Sequence, residues 1–145
     1  MVLGRMLFAL VFILAGIHKI MNWDASEQAL TTSMLDMLSH TYEQPWAQKL
    51  FDTLMPYSSK LLLVGVIFEL LGGLFVFLGF QVRLGALLLF LLLIPTTILF
   101  HPFWNLEGAE KTVQMTMFLK NVSLLGGTLI LLACGSGPKV KKADV

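Results

Sequence analysis

Four long runs of apolar residues constrain this chain more than any other feature of its sequence. They cover approximately residues 3–21, 59–80, 82–100 and 112–134. A helix needs roughly 20 mainly apolar residues to cross a bilayer core of about 30 Å. Strands of a membrane β-barrel would instead show short segments of alternating polarity. The runs therefore predict four transmembrane helices.

The composition is typical of a chain that is largely surrounded by lipid. Of the 145 residues, 57% are hydrophobic and 13% are charged, against roughly 25% charged in an ordinary soluble domain. A soluble fold of this size has too little interior to hide so much apolar surface. We therefore expect a single membrane domain over residues 1–145. The net charge of +1 and the lack of a basic–aromatic face give no indication of nucleic-acid binding.

The connection between the first and second runs, residues 22–57, is the only long one. Leu30, Met34 and Leu38 recur in it at helical spacing, and a similar pattern follows Pro45. This pattern predicts two short amphipathic helices at the membrane interface. The predicted fold class is thus all-α, a four-transmembrane-helix bundle with two short interfacial helices between the first and second spans. Residues 135–145 are expected to form a flexible basic tail.

The charges outside the spans predict an orientation. Four crossings place both termini and the turn at residues 79–83 on one side of the membrane. The basic residues on that side, against Asp144 as its acidic residue, are Arg5, Arg83, Lys139, Lys141 and Lys142. The other side has a similar number of lysines, but Lys19 and Lys120 among them lie inside or at the edge of the spans and not in free loops. Because cytoplasmic loops carry an excess of lysine and arginine, we expect the termini in the cytoplasm and the protein in a bacterial inner membrane.

Glu69 is the clearest polar residue inside a predicted span. An ionisable side chain at the centre of a bilayer costs roughly 2.5–3.5 kcal/mol on insertion scales, so it needs a partner or a function. Gly65 and Gly72 lie on the same helical face as Glu69, and small residues let helices approach closely in lipid. Glu69 is therefore predicted to point into the bundle.

The other polar groups of the spans fall at a similar depth, on the side of the long connection. The first and third spans end there and the second and fourth begin there, and these groups are His18, Lys19, His101, Lys120 and Asn121. Lys120 shares a face with Gly127, which predicts that it also points inward. The simplest arrangement is a Glu69–Lys120 ion pair with Lys19, His18 and His101 near the mouth of a pocket.

Two interpretations of these groups remain open at this point. A buried ion pair can merely fix helix register and topology, or the groups can line a pocket for a small molecule, a quinone head group or a proton. A catalytic site is a weaker third interpretation, and no catalytic residue is assigned. The sequence has no zinc-protease, nucleophile-elbow or phosphate-loop motif, and its histidines lack metal-ligand spacing, so no metal site is predicted.

Four segments carry a resemblance to the DoxX-like family of small membrane proteins. In order along the chain they are residues 15–20 (AGIHKI), 68–74 (FELLGGL), 100–104 (FHPFW) and 118–127 (FLKNVSLLGG). The sequence is also similar to the plant hypersensitive-response-like lesion-inducing proteins, which share the FLKN segment. The connection at residues 22–57 lies outside the resemblance.

The resemblance implies a four-helix membrane fold and a link to redox or sulfur metabolism. The family takes its name from subunits of a thiosulfate:quinone oxidoreductase, and some relatives form membrane complexes with soluble redox enzymes. The residues that the motifs carry over to this chain are Lys19, Glu69, His101, Lys120 and Asn121. The single cysteine, Cys134, allows no dithiol chemistry within the chain.

The leading hypothesis is an accessory subunit, not catalytic on its own, that binds a small amphipathic molecule. No cofactor is fixed by the sequence, and a quinone is the candidate. In this hypothesis Glu69 exchanges a proton or hydrogen bond with the ligand, Lys19 and Lys120 keep it ionised, and His101 exchanges protons with water. A soluble or membrane redox partner and a homo-oligomer are compatible with it. The alternatives are a structural or assembly protein and a small-solute transporter.

Overall fold

The computed structural model describes residues 2–137, and these residues fold into helices joined by short connections. Six α-helices follow one another along the described part of the chain, with single 3-10 turns at Met55–Tyr57 and Phe103–Asn105. The helices are α1 (Val2–Met21), α2 (Trp23–Thr41), α3 (Pro45–Leu54), α4 (Ser58–Leu78), α5 (Val82–Phe100) and α6 (Gly108–Cys134). The predicted all-α class is confirmed.

Four of the helices, α1, α4, α5 and α6, are long and apolar enough to span a membrane. They coincide with the four apolar runs, although α6 begins at Gly108, before the start predicted at residue 112. Their most apolar stretches are only 11–33% buried inside the protein, so most of their apolar side chains face outward. This is the pattern expected of helices surrounded by lipid. Of the predicted basic tail, residues 138–145 lie outside the described residues.

The four spanning helices pack antiparallel in chain order. Helix α1 packs against α4, α4 against α5, and α5 against α6. Their shared apolar core, which we call the bundle cluster, comprises the buried residues Ala9, Phe12, Val76, Val82, Ala86, Leu89, Leu93 and Leu131. Helices α1 and α6 meet where the ring of Phe8 covers Gly127, and between them the bundle is open to the outside.

Helices α2 and α3, together called the cap, lie at the end of the bundle where α1 ends and α4 begins. With its 19 residues, α2 is longer than the short helix predicted, and it packs against α3, α4 and α5. Leu30, Met34 and Phe51 belong to a second apolar core, the cap cluster, which continues to Leu62 and Val66 of α4. The cap is therefore tied to the bundle, and its position at the membrane surface stays a prediction.

Two polar contacts fasten the cap to the start of α4. The hydroxyl of Ser58 donates a hydrogen bond to Oε1 of Glu27 (2.9 Å), and Nε1 of Trp23 donates one to the hydroxyl of Ser59 (3.4 Å). Both serines lie in the first turn of α4, where the first backbone N–H groups of a helix lack partners within it. These contacts fix α2 relative to α4.

The bundle end opposite the cap, which we call the terminal end, holds the start of α1 and the end of α6. The tight turn between α4 and α5 is also there, with left-handed backbone at Gly79 (φ 79°) and Gln81 (φ 49°). The guanidinium of Arg5 lies directly over Gly79. Nη2 of Arg83 donates a hydrogen bond to the carbonyl of Ala133 (3.2 Å), so a cation stands at the negative end of the α6 dipole.

Helix α5 continues through Pro95, which lies inside it. A proline removes one backbone N–H from the helical hydrogen-bond ladder. The hydroxyl of Thr96 donates to the carbonyl of Leu92 (2.8 Å), and that of Thr97 to the carbonyl of Leu93 (2.5 Å). These side chains supply donors next to the proline, and α5 remains one helix.

Candidate functional site

Glu69 lies near the middle of α4 and points into the protein, as the glycine spacing predicts. The residue is only 6% exposed. Its carboxylate oxygen Oε2 accepts a hydrogen bond from Nζ of Lys19, at 2.5 Å, in a salt bridge between α4 and the last turn of α1. This ion pair is the centre of the candidate site.

Small residues bring the helices around Glu69 close together. Gly16 of α1 packs directly against the side chain of Leu70, with Glu69 beside it. One turn further along α4, Gly72 meets Gly85 of α5, where a β-carbon on either residue would come within 3 Å of the other's carbonyl oxygen. The carboxylate is thus held between two closely packed helix pairs, which accounts for its burial.

The ion pair lies between the two apolar cores of the protein. On the cap side, Leu70 packs against the cap cluster. On the other side, Gly73 packs against Ala9 and Ile13 of α1, next to the bundle cluster. Any molecule that reached Glu69 would therefore meet two charged groups with apolar walls on both sides.

The ion pair leaves hydrogen-bonding capacity unused. Lys19 is the one hydrogen-bond partner that Glu69 has among the side chains of residues 2–137, and it contacts Oε2 alone. An ammonium group has three donors and a carboxylate has about four acceptor positions. The Lys19 side chain is 35% exposed, against 7% for Glu69, so the lysine forms the accessible side of the pair.

The predicted Glu69–Lys120 ion pair is wrong. Lys120 is exposed on α6, and its Nζ lies 3.6 Å from the sulfur of Met117, one turn earlier in the same helix. The physical reason is the order of packing, because α4 packs against α1 and α5 while α6 packs mainly against α5. Lys120 does share a face with Gly127, but α1 covers that face at Gly127 and not at the level of Lys120.

The remaining predicted site residues are not gathered around Glu69. His18 is exposed and its ring is 3.4 Å from the amide of Asn22, whereas Nδ1 of His101 is hydrogen-bonded to Oε1 of Gln114 on α6 (2.8 Å). Asn121 is half-buried on α6. The ligand-binding roles of His18, His101, Lys120 and Asn121 stay predictions.

Two cavities stand out on the described part of the chain, and neither is lined by Glu69 or Lys19. One is a cleft of about 190 Å³ at the terminal end, between α1 and α6. The other is an open depression of about 530 Å³ along the outer face of α2, next to Asp24 and Glu27. Among residues 2–137 no three His, Cys, Asp or Glu side chains come together in a way that could hold a metal ion.

Three structural partnerships escaped the sequence analysis. Arg5 over Gly79, Glu27 with Ser58, and His101 with Gln114 each join residues far apart in the sequence. The left-handed glycine after α4 was the one available signal, because a glycine that ends a helix often marks a close approach. The other two contacts follow from tertiary packing and leave no local pattern.

The fold and the site together define a multi-pass membrane protein with a buried ion pair between its first two spanning helices. The chain belongs to the DoxX family, whose sequence model matches residues 1–102. This match contains Lys19, Glu69 and His101, whereas Lys120 and Asn121 lie beyond it.

A curated relative supports the same classification. The chain is 25% identical over 137 residues to the inner membrane protein YphA of Escherichia coli (strain K12), covering 94% of this chain and 84% of the relative. No solved structure matches the chain.

Proposed function

We propose that this DoxX-family protein is an accessory membrane subunit that binds a small amphipathic molecule of the quinone class at Lys19 and Glu69. The observation that carries the proposal is the buried Lys19–Glu69 ion pair inside a spanning bundle. Ionisable groups within a membrane are expensive and commonly mark a path or site for ligands or protons. The proposal concerns binding, and the chain needs no catalytic group of its own for it.

The chemistry of the pair fits a quinone head group. Lys19 has ammonium donors left for a quinone carbonyl, and Glu69 has acceptor positions left for a quinol hydroxyl. The apolar residues on both sides, such as Leu70 and Ile13, suit the ring and the start of an isoprenoid tail. Binding requires room beside the pair, which a shift of the exposed Lys19 side chain would provide.

A role for this chain in redox metabolism requires a partner protein that transfers the electrons. The chain has one cysteine, Cys134, which is exposed near the end of α6, so it has no cysteine pair of its own with which to exchange electrons. In the proposed complex a soluble or membrane-bound oxidoreductase transfers electrons, and this subunit holds the quinone. The family resemblance to thiosulfate:quinone oxidoreductase subunits supports this role.

The binding proposal is tested by titrating purified protein with a short-chain ubiquinone analogue and following the quenching of tryptophan fluorescence. Glu69→Gln and Lys19→Met are expected to raise Kd at least about tenfold, because each removes a charge-assisted hydrogen bond. Lys120→Met is the matched control, since it removes a lysine from another spanning helix that does not reach Glu69. Its Kd should stay within about twofold of wild type. Equal binding by Glu69→Gln and wild type overturns the proposal.

A structural or assembly role is the second candidate. It is favoured by the hydrogen bonds that fasten the cap to α4 and by the absence of Glu69 from either cavity described above. In this role the ion pair fixes the register of α1 against α4, and the cap docks a partner. Replacing Lys19 by Met and Glu69 by Leu together should then restore the yield that either change alone lowers.

We also propose that the protein lies in a bacterial inner membrane with its terminal end in the cytoplasm. Arg5 and Arg83 stand at that end, the sequence that follows the described residues contains Lys139, Lys141 and Lys142, and the relative YphA is named as an inner membrane protein. By sequence, five of the ten lysines and arginines fall on this side, and of the other five, Lys19 and Lys120 lie inside or at the edge of the spans. The basic residues outside the spans therefore favour the cytoplasmic side for the terminal end.

The orientation is tested with reporter fusions at the C-terminus. A green fluorescent protein fusion should fluoresce in intact bacteria, and an alkaline phosphatase fusion should be inactive. The same phosphatase joined within the connection between α2 and α3 should be active. An active C-terminal phosphatase would reverse the proposed orientation.

A further inference from the structure

The terminal end of the bundle contains a lateral cleft between α1 and α6. The cleft has a volume of about 190 Å³ and opens at the lipid-facing surface, where Ile130 is 63% exposed. Its lining comes from the first two turns of α1 and from the end of α6, and comprises Gly4, Arg5, Phe8, Gly127, Ile130, Leu131, Gly135 and Ser136. Apart from Arg5 and Ser136 these residues are apolar.

Missing side chains keep the cleft open. A β-carbon on Gly4 would meet no other atom of residues 2–137 within 4 Å. On the facing helix, Gly127 leaves room for the ring of Phe8, which packs directly against it and lines the cleft. The space is comparable to the roughly 150 Å³ cavities that stay dry and accept an apolar ring, so it can accept a segment of an acyl chain.

Arg5 supplies a cation to the lining of this apolar cleft, with its guanidinium packed over Gly79. Its Nε is buried and has no hydrogen-bond partner among residues 2–137, and within the same residues no carboxylate lies at salt-bridge distance from it. Arg83, the other arginine of the terminal end, instead donates to the carbonyl of Ala133. The protein thus holds an arginine with unused donors beside an apolar cleft.

We propose that this cleft binds an anionic phospholipid, with its phosphate at Arg5 and part of one acyl chain between α1 and α6. A guanidinium donates two parallel hydrogen bonds to a phosphate, which makes arginine well suited to this recognition. Arg5 lies in the first turn of a spanning helix that begins at Val2, a level where lipid head groups are found.

The occupant follows from the combination of charge and apolar walls. A free phosphate would contact Arg5 but leave the surfaces of Phe8, Ile130 and Leu131 uncovered, and a zwitterionic lipid would bring a second cation to Arg5. The site lies at the end of the bundle opposite the cap and does not include the Lys19–Glu69 pair. The lipid proposal and the quinone proposal can therefore each fail without affecting the other.

The test uses full-length protein that has been purified and delipidated in detergent. Native mass spectrometry measures the binding of dioleoyl phosphatidylglycerol and of dioleoyl phosphatidylcholine, with glycerol 1-phosphate as the probe that lacks acyl chains. Wild type should bind phosphatidylglycerol roughly tenfold more tightly than phosphatidylcholine, and glycerol phosphate should not compete with the lipid.

Three variants separate the charge of the cleft from its shape. Arg5→Gln should remove the preference for phosphatidylglycerol. Ile130→Trp, at an exposed position where folding is not at risk, should fill the cleft and weaken both lipids. Arg83→Gln is the matched control, because it removes an arginine at the same end that does not line the cleft, and it should keep the preference.

Several results would overturn the proposal. An unchanged lipid preference in Arg5→Gln rules out the phosphate contact, and unchanged lipid affinity in Ile130→Trp rules out the cleft. If Arg5→Gln and Arg83→Gln lost the preference for phosphatidylglycerol equally, that preference would come from the general surface charge of this end and not from the cleft. If glycerol 1-phosphate competed with the lipid at similar concentrations, the site would recognise the phosphate alone and the acyl chain would make no contribution.

Discussion

At the scale of single residues, Arg5 and Gly79 constrain each other at the turn between α4 and α5. Gly79 ends α4 with φ 79°, and the guanidinium of Arg5 occupies the space that a side chain at this position would need. A β-carbon there would lie 2.5 Å from Nη2 of Arg5. Only glycine satisfies both the left-handed backbone and the close approach.

Gly79→Ala is therefore expected to destabilise the protein in two ways. The left-handed conformation alone costs an alanine roughly 1–2 kcal/mol, and displacing Arg5 adds to this cost. Gly108→Ala is the matched control, because Gly108 also has positive φ (62°) but open space around it. Thermal unfolding in detergent should show a larger loss of stability for Gly79→Ala than for Gly108→Ala. Equal losses of stability in the two variants would mean that displacing Arg5 adds nothing to the cost of Gly79→Ala.

The sequence predicted the burial of Glu69 but not its partner. Glycines on the same face of α4 made the inward direction predictable, because small residues mark helix contacts. Lys19 and Lys120 were both at a suitable depth, and choosing between them required knowing which helix lies next to α4. That order of packing is a property of the whole bundle and leaves no mark in the spacing of either lysine.

At the scale of helices, α4 and α5 cross so closely that their backbones are in contact. Gly72 and Gly85 face each other there, and a β-carbon on Gly85 would lie 2.7 Å from the carbonyl oxygen of Gly72. Because that obstacle is backbone, it cannot move aside as a flexible side chain could. The crossing lies one turn from Glu69 and so sets how closely the ion pair is enclosed.

Gly72→Ala should consequently destabilise the bundle by roughly 1–3 kcal/mol, the usual cost of overpacking. Gly126→Ala on α6 is the matched control, since nothing lies within 4 Å of the position where its β-carbon would be. The control should be neutral or stabilising by up to about 1 kcal/mol, because alanine favours helix more than glycine. Unfolding by sodium dodecyl sulfate measures both, and similar stabilities would contradict the described crossing.

The helices of the cap were only partly predictable. The spacing of Leu30, Met34 and Leu38 correctly indicated a helix, and the structure places all three in or against the cap cluster. The length of α2 was underestimated because its polar outer face obscures the helical pattern. Its attachment to α4 through Ser58 and Ser59 depends on tertiary contacts, and serine at the start of a helix usually suggests a local cap instead.

At the scale of the whole molecule, charge and apolar surface are distributed unevenly along the bundle. The terminal end carries Arg5 and Arg83, and the ion pair of Lys19 with Glu69 lies towards the cap. Helices α1 and α6 have the lowest buried fractions, 17% and 11%, so the seam between them is the least enclosed part of the bundle. Long apolar runs made the number of spans predictable, whereas the open seam follows from which helices touch.

Two double-mutant cycles on stability in detergent identify the partner of Glu69. The first cycle combines Lys19→Met with Glu69→Gln, and the second combines Lys120→Met with Glu69→Gln. Removing one member of a fully buried ion pair costs roughly 3–5 kcal/mol, and the cost is smaller here because the Lys19 side chain is 35% exposed. Two residues in contact show a coupling of about 0.5–3 kcal/mol.

We expect a clear coupling energy for Lys19 with Glu69, within that range, because the two side chains form a salt bridge. For Lys120 with Glu69 we expect additive effects within about 0.5 kcal/mol, because the exposed Lys120 does not reach the carboxylate. Additive effects in the first cycle together with coupling in the second would contradict the pairing of Lys19 with Glu69 and restore Lys120 as the partner of Glu69.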